Sequence, residues 1–423
     1  MIQQTPHRRS QIHHLFSAVR GNARVMVITE GIAAIPFKWY GTYISLYMLA
    51  LGMNEVQVGL LQSVYIFTQL ISTLLGGYVA DRFGRKRVLV VFDILCWGVP
   101  MLLYGIAQNP WYFLIGRFIN GFVYIVMPSF QCLFVEDVPD EDRPAVFGVL
   151  QFLTAAASLL APVAGWLVAR WGTVPAGRVI MLATMTTSVT MAIVRQFTLR
   201  ETTIGQERMA ATVGITPLAV LKAYITAIRD AVKDSRVSVY LVVRNLVTFN
   251  AVIWMTFSVI YMTDTRGIGL PESAVALFPF VSALVTMGMI LLAAGRLRGQ
   301  RIFSNLILGQ MLSVGASLLF VLAPAGKLWG PALVAIGNAV SVALFQSSNQ
   351  SYWASLVGDQ ERALVFSATA ALTSLCTLLS GPIAGALYAT TPRGPFFLGL
   401  ALQTIALALT LQLQRTERAQ TAN

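Results

Sequence analysis

Charged residues are scarce in this sequence. Only 11% of its 423 residues are Asp, Glu, Lys or Arg, whereas 56% are hydrophobic. Ordinary soluble domains carry about 25% charged residues. A chain of this composition lacks the polar surface that a water-soluble fold of this size needs, so we exclude that class. The composition predicts an integral membrane protein.

Histidine and cysteine are also rare, and their positions exclude several kinds of site. All three histidines lie in the N-terminal arm, and the three cysteines lie inside apolar runs: His7, His13 and His14; Cys96, Cys132 and Cys376. Neither set predicts a metal site or a disulfide framework. The sequence has no phosphate-binding Gly-x-x-x-x-Gly-Lys-Ser/Thr loop and no convergent nucleophile set. We therefore expect no cofactor and no enzyme activity.

Apolar runs near the length of a membrane-spanning helix, about 20 residues, recur from end to end. We count twelve of them: 24–50, 55–80, 87–107, 110–136, 144–170, 175–197, 236–263, 271–295, 301–323, 327–355, 360–388 and 392–414. This pattern predicts an all-α protein with twelve transmembrane helices.

The basic residues are distributed unevenly between the two sides of these spans. With twelve spans, 22 of the 30 Lys and Arg fall on the side of the two termini, and five fall on the other. Such asymmetry is the positive-inside pattern, so we expect both termini in the cytoplasm. The net charge of +12 then reflects membrane topology and not a nucleic-acid partner.

The spans divide into two halves that repeat. We predict an N-terminal arm (1–23), a six-helix bundle (24–197), a central loop with an amphipathic helix (198–235), a second six-helix bundle (236–414) and a tail (415–423). "DEDRPAVF" at 140–147 is echoed by "DQERALVF" at 359–366, and "APVAGWL" at 161–167 by "GPIAGAL" at 381–387. A parallel repeat of this kind places a binding site between the halves, near the bilayer midplane.

A compact charged stretch, "GGYVADRFGRKR" at 76–87, separates the second and third spans. Its spacing, Gly77-x-x-x-Asp81-Arg82-x-Gly84-Arg85-Lys86, resembles the signature of the major facilitator superfamily. The fourth span adds "IGRFING" at 115–121, which resembles that superfamily's helix-four arginine motif. The resemblance covers essentially the whole chain and implies two pseudo-symmetric six-helix bundles that transport solutes by alternating access.

The same resemblance assigns a conformational latch to the charged stretch. In this latch, the charges of Asp81 and Arg85 would stabilise the outward-open state. The latch residues are then Gly77, Asp81, Arg82, Gly84, Arg85 and Lys86. We interpret Asp93, six residues past Arg87, as a further member of this latch.

Charged residues within spans are costly in lipid and are functional candidates by default. Glu30 and Lys38 lie in the first span, with Lys38 near its middle. Glu30 is the best candidate for proton coupling, and Lys38 for a substrate or coupling role, against a structural ion pair. Arg244 occupies the position equivalent to Glu30 in the second half. The two could form a gate, or Arg244 could bind an anion or lie near the headgroups.

Polar side chains recur along one face of the fourth span and along one face of the tenth. The resemblance implies that spans one, four, seven and ten line the central cavity. From these two faces we select Arg117, Tyr124, Gln131, Asn338 and Asn349 as cavity candidates, with polar packing between helices as the alternative for each amide.

The leading hypothesis is a secondary transporter, a proton-coupled antiporter that exports small amphiphilic compounds. Its cavity cations, which outnumber Glu30, equally favour uptake or exchange of a small organic anion. A lipid flippase on the same fold is a third alternative. We expect a monomer in a plasma membrane, the inner membrane of a bacterium, with a small-molecule substrate and a coupling ion as its partners.

Overall fold

A computed structural model describes residues 19–212, 217–293, 302–356 and 362–422. Within these ranges the regular structure is entirely helical. Most of the N-terminal arm and the start of the second "DQERALVF" repeat lie outside the described residues.

Eleven helices of the described chain are long and apolar enough to cross a membrane. A twelfth, α1, comprises Gly21–Ala50 and is less apolar because it carries Arg24, Glu30 and Lys38. The others are α2 (Glu55–Phe83), α3 (Arg85–Gly105), α4 (Pro110–Val135), α5 (Arg143–Trp171), α6 (Thr173–Thr198), α7 (Ser235–Thr263), α8 (Glu272–Ile290), α9 (Ile302–Val321), α10 (Trp329–Trp353), α11 (Val365–Thr390) and α12 (Gly394–Ala419).

The prediction of a twelve-helix membrane protein in two six-helix bundles is confirmed. Two further helices, Thr203–Ala211 and Pro217–Ala231, connect the halves, and we call them the first and second connector helices. We call the membrane face where α1 begins and α12 ends the terminal face, and the opposite face the distal face.

The repeated glycines bring the two halves together at the distal face. Gly165 of α5 packs against the backbone of Ser273, where α8 begins. Its counterpart Gly385 of α11 packs against the backbone of Glu55, where α2 begins. Because both positions lack a side chain, each helix can approach the backbone of its partner closely. The sequence repeat therefore has a structural counterpart in two equivalent contacts between the halves.

The contact between α2 and α11 continues from the distal face towards the middle of the membrane. Gly59 and Gly381 pack backbone to backbone, and an added Cβ on either would overlap the carbonyl of the other. Deeper in the membrane, Gln69 Nε2 donates a hydrogen bond of 3.2 Å to Ser374 Oγ. The two halves thus contact each other along about 20 Å of helix, from residue 55 to residue 69 of α2.

Polar contacts reinforce this closure at the distal face. Arg266 bridges Glu55 of the first half, at 2.8 Å, and Asp264 of the second, at 2.9 Å. Tyr43 Oη donates to the backbone carbonyl of Glu272 at 3.2 Å. Burial acts to raise the pKa of Asp264, but hydrogen bonds from Arg266 and Tyr388 outweigh it and leave this pKa below its ordinary value. The carboxylate therefore stays charged at neutral pH, and its contribution is lost only as the pH falls through that lowered pKa.

We predict that Gly59→Ala forces the distal face apart. The new methyl would lie closer to the Gly381 carbonyl than the distance of about 3.5 Å that two non-bonded atoms require. Backbone cannot move aside as a side chain can. Spin labels at Gln108 and Lys327, both exposed at the distal face, should report a longer distance in a background lacking the native cysteines.

Gly148→Ala is the matched control, because no atom lies within 4 Å of the Cβ that it adds. An unchanged distance in Gly59→Ala, or the same change in Gly148→Ala, would contradict the assignment.

Candidate functional site

A buried arginine holds two carboxylates together in the first half. Arg195 of α6 is fully buried and forms ion pairs with Glu30 of α1, at 2.7 Å, and with Asp93 of α3, at 2.8 Å. Its Nε donates to Thr29 Oγ1 at 3.1 Å, and its guanidinium lies 6.0 Å from the ring centre of Phe130 of α4. Residues of four helices therefore converge on one side chain, and we call Arg195, Glu30 and Asp93 the ionic triad.

The triad carries one excess negative charge when all three groups are ionised. The side chain of Glu30 is 27% exposed, whereas that of Asp93 is 5% exposed. A proton from outside the triad would therefore reach Glu30 more readily than Asp93. Since an uncompensated charge is costly inside a bilayer, the triad is a chemically reasonable place to bind one proton.

Local helix geometry helps to position Asp93. A π-helical turn, Ile94–Gly98, follows it directly, and such single turns occur frequently at functional sites. On this turn, the Cys96 carbonyl accepts a hydrogen bond of 2.7 Å from Asn120 Nδ2 of α4. The turn is thus fixed against α4 immediately after the carboxylate that pairs with Arg195.

Sequence reasoning missed Arg195. We counted it among the cations of the terminal side, but the structure buries it three residues before the end of α6. The signal for Arg195 was weak, since Glu30 and Asp93 already had Arg244 and the latch cations as their expected partners. Asp93, which we expected in the latch, contacts Arg195 instead.

The predicted latch forms a second polar cluster, at the terminal ends of α2, α3 and α4. Arg85 is buried and pairs with Glu136 at the end of α4, and more loosely, at 3.8 Å, with Asp81. Its Nη1 also lies 3.4 Å from Thr202 Oγ1, next to the first connector helix. Arg85 is thus surrounded by groups that sequence reasoning did not select.

The turn between α2 and α3 is built around Gly84. This residue has a φ of +88°, which favours glycine, and the following Lys86 N–H donates to Glu201 at 2.9 Å. Arg82 and Lys86 are partly exposed. The latch residues therefore contact one another, the end of α4 and the connector, all within the first half and the connecting segment.

The second connector helix reaches both halves at the terminal face. Its Tyr224 is buried, and it hydrogen-bonds Ser367 of α11. A Cβ placed on Gly77 of α2 would lie 3.9 Å from the Tyr224 hydroxyl. Tyr224 thus occupies the space between the terminal ends of α2 and α11. The contact of these two helices through Gly59 and Gly381 lies nearer the distal face.

Lys38 is exposed in spite of its position near the middle of α1. The opposite face of the helix packs against α6, where the Pro36 carbonyl accepts from Thr184 and Tyr47 contacts Gly177. Lys38 lies about half a turn from these contacts, since each residue advances the helix by about 100°. Its ammonium therefore points away from α6.

Arg117 is surrounded by tyrosines of the neighbouring helices. Its guanidinium lies 5.7 Å from the ring centre of Tyr65, a cation–π contact. Tyr40 and Tyr104 stack at 6.5 Å and contribute to its electrostatic environment. The Tyr124 ring lies 6.4 Å from that of Tyr65. Within the described structure, both the Arg117 Nε and the Tyr104 hydroxyl are buried without a hydrogen-bond partner.

The remaining cavity candidates are less uniform. Gln131 is exposed, whereas Asn338 and Arg244 are partly exposed. Asn349 accepts a hydrogen bond of 2.8 Å from Tyr240 of α7, so it contributes to packing between α7 and α10. Glu30 pairs with Arg195 and not with Arg244, so the structure does not bring the two residues of the expected gate together.

The three basic candidates share one feature in the described structure, which is the lack of a carboxylate partner. In the described part of the chain, no carboxylate lies within 4.0 Å of the charged nitrogens of Lys38, Arg117 or Arg244. The described residues also contain no group of three His, Cys, Asp or Glu that could hold a metal ion. The candidate site thus offers positive charge, amides and tyrosines.

Comparison with known sequences gives a family match and more distant relatives. The family model described as Major Facilitator Superfamily matches residues 26–348. A segment of 133 residues is 32% identical to a protein named multidrug resistance protein MdtG of Escherichia coli O6:K15:H31 (strain 536 / UPEC), and 33% identical to one of the same name from Salmonella arizonae. In each case the match covers 30% of this chain and 32% of the relative, so it spans about a third of the curated proteins.

Comparison with solved structures supports the fold across nearly the full length. A crystal structure of nucleoside transporter NupG superposes with a TM-score of 0.68 at 15% identity, covering 94% of this chain and 99% of that one. A crystal structure of peptide transporter POT in complex with sulfate gives a TM-score of 0.66 at 16% identity, covering 95% and 96%. At such identity these likenesses concern the fold alone.

We predict that Arg195→Gln strongly destabilises the protein. The substitution leaves two carboxylates without their shared cation, and breaking a buried ion pair costs about 3–5 kcal/mol. Thermal unfolding of the purified protein should show a clearly lower midpoint than for Arg170→Gln, which removes an exposed arginine.

The triple variant Arg195→Met, Glu30→Gln, Asp93→Asn should recover most of that loss, because no unpaired charge remains. A triple variant as unstable as Arg195→Gln would show that the contribution of Arg195 does not come from its charge pairing.

We also predict that Tyr224→Ala shifts the protein towards closure of the terminal face. Without the ring between α2 and α11, the terminal ends of these helices can approach each other. Spin labels at Glu141 and Arg415, both exposed at that face, should show a larger short-distance population. Ile225→Ala is the control because its side chain is 61% exposed, and an equal shift in both variants would refute the prediction.

Proposed function

Since the chain belongs to the major facilitator superfamily, we propose that it is a secondary active transporter that couples proton movement to the export of small amphiphilic compounds. The observation that carries this proposal is the ionic triad, a buried set of groups with one excess negative charge, in a protein whose halves are closed at the distal face. The chain is a multi-pass membrane protein of a transporter family. The direction, the substrate and the coupling ion are the parts that we propose.

Alternating access is supported by the nature of the contact between the halves. At the distal face the halves meet through glycine backbones, a few hydrogen bonds and the ion pair of Arg266 with Glu55. The backbone contacts and hydrogen bonds can break one by one as the halves separate, and the apolar side chains that both halves contribute to one buried cluster must separate with them. With both termini in the cytoplasm, as the basic residues favour, this structure corresponds to the inward-facing state.

Proton coupling is supported by the triad's charge and by its position. Protonation of Glu30 would neutralise the excess charge and weaken one of the two ion pairs of Arg195. That change acts on α1 and α6 at once, because these helices contribute the two partners. Glu30 and Lys38 lie on the same helix, eight residues or about 12 Å apart. A proton at Glu30 can therefore alter the position of Lys38 through a shift of α1.

Export of amphiphilic compounds is supported by the tyrosines around Arg117 and by the sequence relatives. Tyr65 and Tyr124, which are partly exposed and lie beside each other, present apolar ring surface together with hydroxyl groups, a combination that suits amphiphilic ligands. The relatives with 32–33% identity are named multidrug resistance proteins, although they match over only 30% of this chain. We propose the inner membrane of a bacterium as the location and a monomer as the working unit, since one chain contains both halves.

Uptake or exchange of a small organic anion is the second candidate. It is favoured by the exposed Lys38 and by the partly exposed Arg117 and Arg244, which have no carboxylate within ion-pair distance among the described residues. Three such cations would attract an anionic substrate and disfavour a cationic one.

Transport measurements distinguish the two candidates. Cells that overexpress the protein should survive higher doses of amphiphilic drugs, and proteoliposomes should not accumulate labelled organic anions. The reverse result would favour the anion transporter, and activity in neither assay would contradict both.

Within whichever assay is active, we predict that Lys38→Ala reduces transport at least about tenfold, equivalent to about 1.4 kcal/mol. Glu30→Gln should abolish the response to an imposed pH gradient while downhill exchange persists. Lys327→Ala and Glu207→Gln, which alter exposed residues outside the spans, are the matched controls. Full activity in Lys38→Ala would remove that residue from the site.

A further inference from the structure

A cavity of about 470 Å³ lies between the terminal ends of α1 and α5, separate from the ionic triad and the latch. The segment directly before α1 contributes Val19 and Arg20 to its lining, α1 contributes Arg24, Val27 and Ile28, and α5 contributes Val149 and Leu153. The proposed transport cycle assigns no role to this cavity, and its lining combines two cations with an apolar wall.

The polar end of the cavity lies at the level where α1 begins. Arg20 directly precedes α1 and Arg24 lies in the first turn of that helix, and both side chains are exposed. Arg24 forms no ion pair with any described carboxylate. Arginine is well suited to phosphate because its planar guanidinium can donate two parallel hydrogen bonds.

The apolar end of the cavity continues into the membrane along the same helix face. Ile28 is 49% exposed and Ile32 is 60% exposed, so the other helices leave this strip of α1 uncovered. At Gly31, Leu153 of α5 approaches to 3.3 Å from where a Cβ would lie, which closes the bottom of the slot. The cavity therefore has a charged entrance at the headgroup level and an apolar wall below it.

We propose that this cavity binds an anionic phospholipid of the leaflet at the terminal face. Arg20 and Arg24 contact its phosphate-bearing headgroup, and one acyl chain lies along Ile28 and Ile32. Basic pockets between membrane helices are suited to anionic headgroups. A free phosphate ion would satisfy the arginines but would leave the apolar wall uncovered, which is why we assign the site to a lipid.

A lipid in this position would contact two helices of the transport machinery. Helix α1 carries Glu30, about 9 Å along the helix from Arg24, and α5 carries Gly165, which closes the distal face. The bound lipid would thereby stabilise the packing of α1 on α5. This inference does not depend on the substrate or on the coupling ion.

Thermal unfolding of the full-length protein in a neutral detergent tests the proposal with three probes. These are short-chain phosphatidylglycerol, short-chain phosphatidylcholine and inorganic phosphate at equal concentrations. We expect phosphatidylglycerol to raise the midpoint, and phosphatidylcholine and inorganic phosphate to raise it much less. The Arg20→Gln, Arg24→Gln double variant should lose at least about three-quarters of the phosphatidylglycerol shift, with its apparent affinity weakened about tenfold or more.

The control variant is Lys222→Gln, Arg415→Gln, which removes the same charge from exposed positions on the terminal side. It should keep the full shift. An equal loss in both double variants would mean that net charge alone attracts the lipid, and would overturn the proposal. A shift that inorganic phosphate reproduces would reassign the site to a free anion, and a shift that survives Arg20→Gln, Arg24→Gln would exclude the cavity.

Discussion

The structure of the first half depends on a constraint that the bilayer imposes: charge inside it must be compensated. Arg195 satisfies this constraint by pairing with Glu30 and Asp93 at once, and it thereby ties α6 to α1 and α3. The compensation is incomplete, because two carboxylates share one cation. The same interaction that fixes three helices thus leaves a single charge that a proton can remove, and in the function that we propose stability and coupling have a common origin in this triad.

The two halves are joined in a different way. Where they meet at the distal face, small residues and backbone contacts replace ion pairs for most of the contact between α2 and α11. At the terminal face the second connector helix places Tyr224 between these same helices. An ion-paired first half and a contact between the halves that is built partly on glycine backbones are both compatible with the transport cycle that we propose. The latch cluster around Arg85 lies at the junction, where it contacts α4 and the segment that leads to the connector.

Much of the fold could be predicted from the sequence, because a bilayer leaves few choices for apolar runs of this length. The repeat between 161–167 and 381–387 has a counterpart in the fold, since Gly165 and Gly385 occupy equivalent contacts, although the sequence alone did not predict that the halves touch there. The site was less predictable. Glu30 and Asp93 were recognised as costly charges, but their partner lay in the last turn of α6, where a basic residue looks like a topological signal. Glu136, Glu201 and Tyr224 had no motif to mark them, and only the packing of α2, α4 and the connectors brings them together.

The central claim is that the excess charge of the triad is neutralised by one proton, which reaches the triad through the partly exposed Glu30. Infrared difference spectroscopy of the protein in lipid, between mildly alkaline and mildly acidic conditions, detects a protonated carboxyl group directly by its carbonyl band. We predict such a band in the wild type, its loss in Glu30→Gln and its persistence in Glu207→Gln, which changes an exposed glutamate. A band that survives Glu30→Gln, or that is absent from the wild type, would contradict the account.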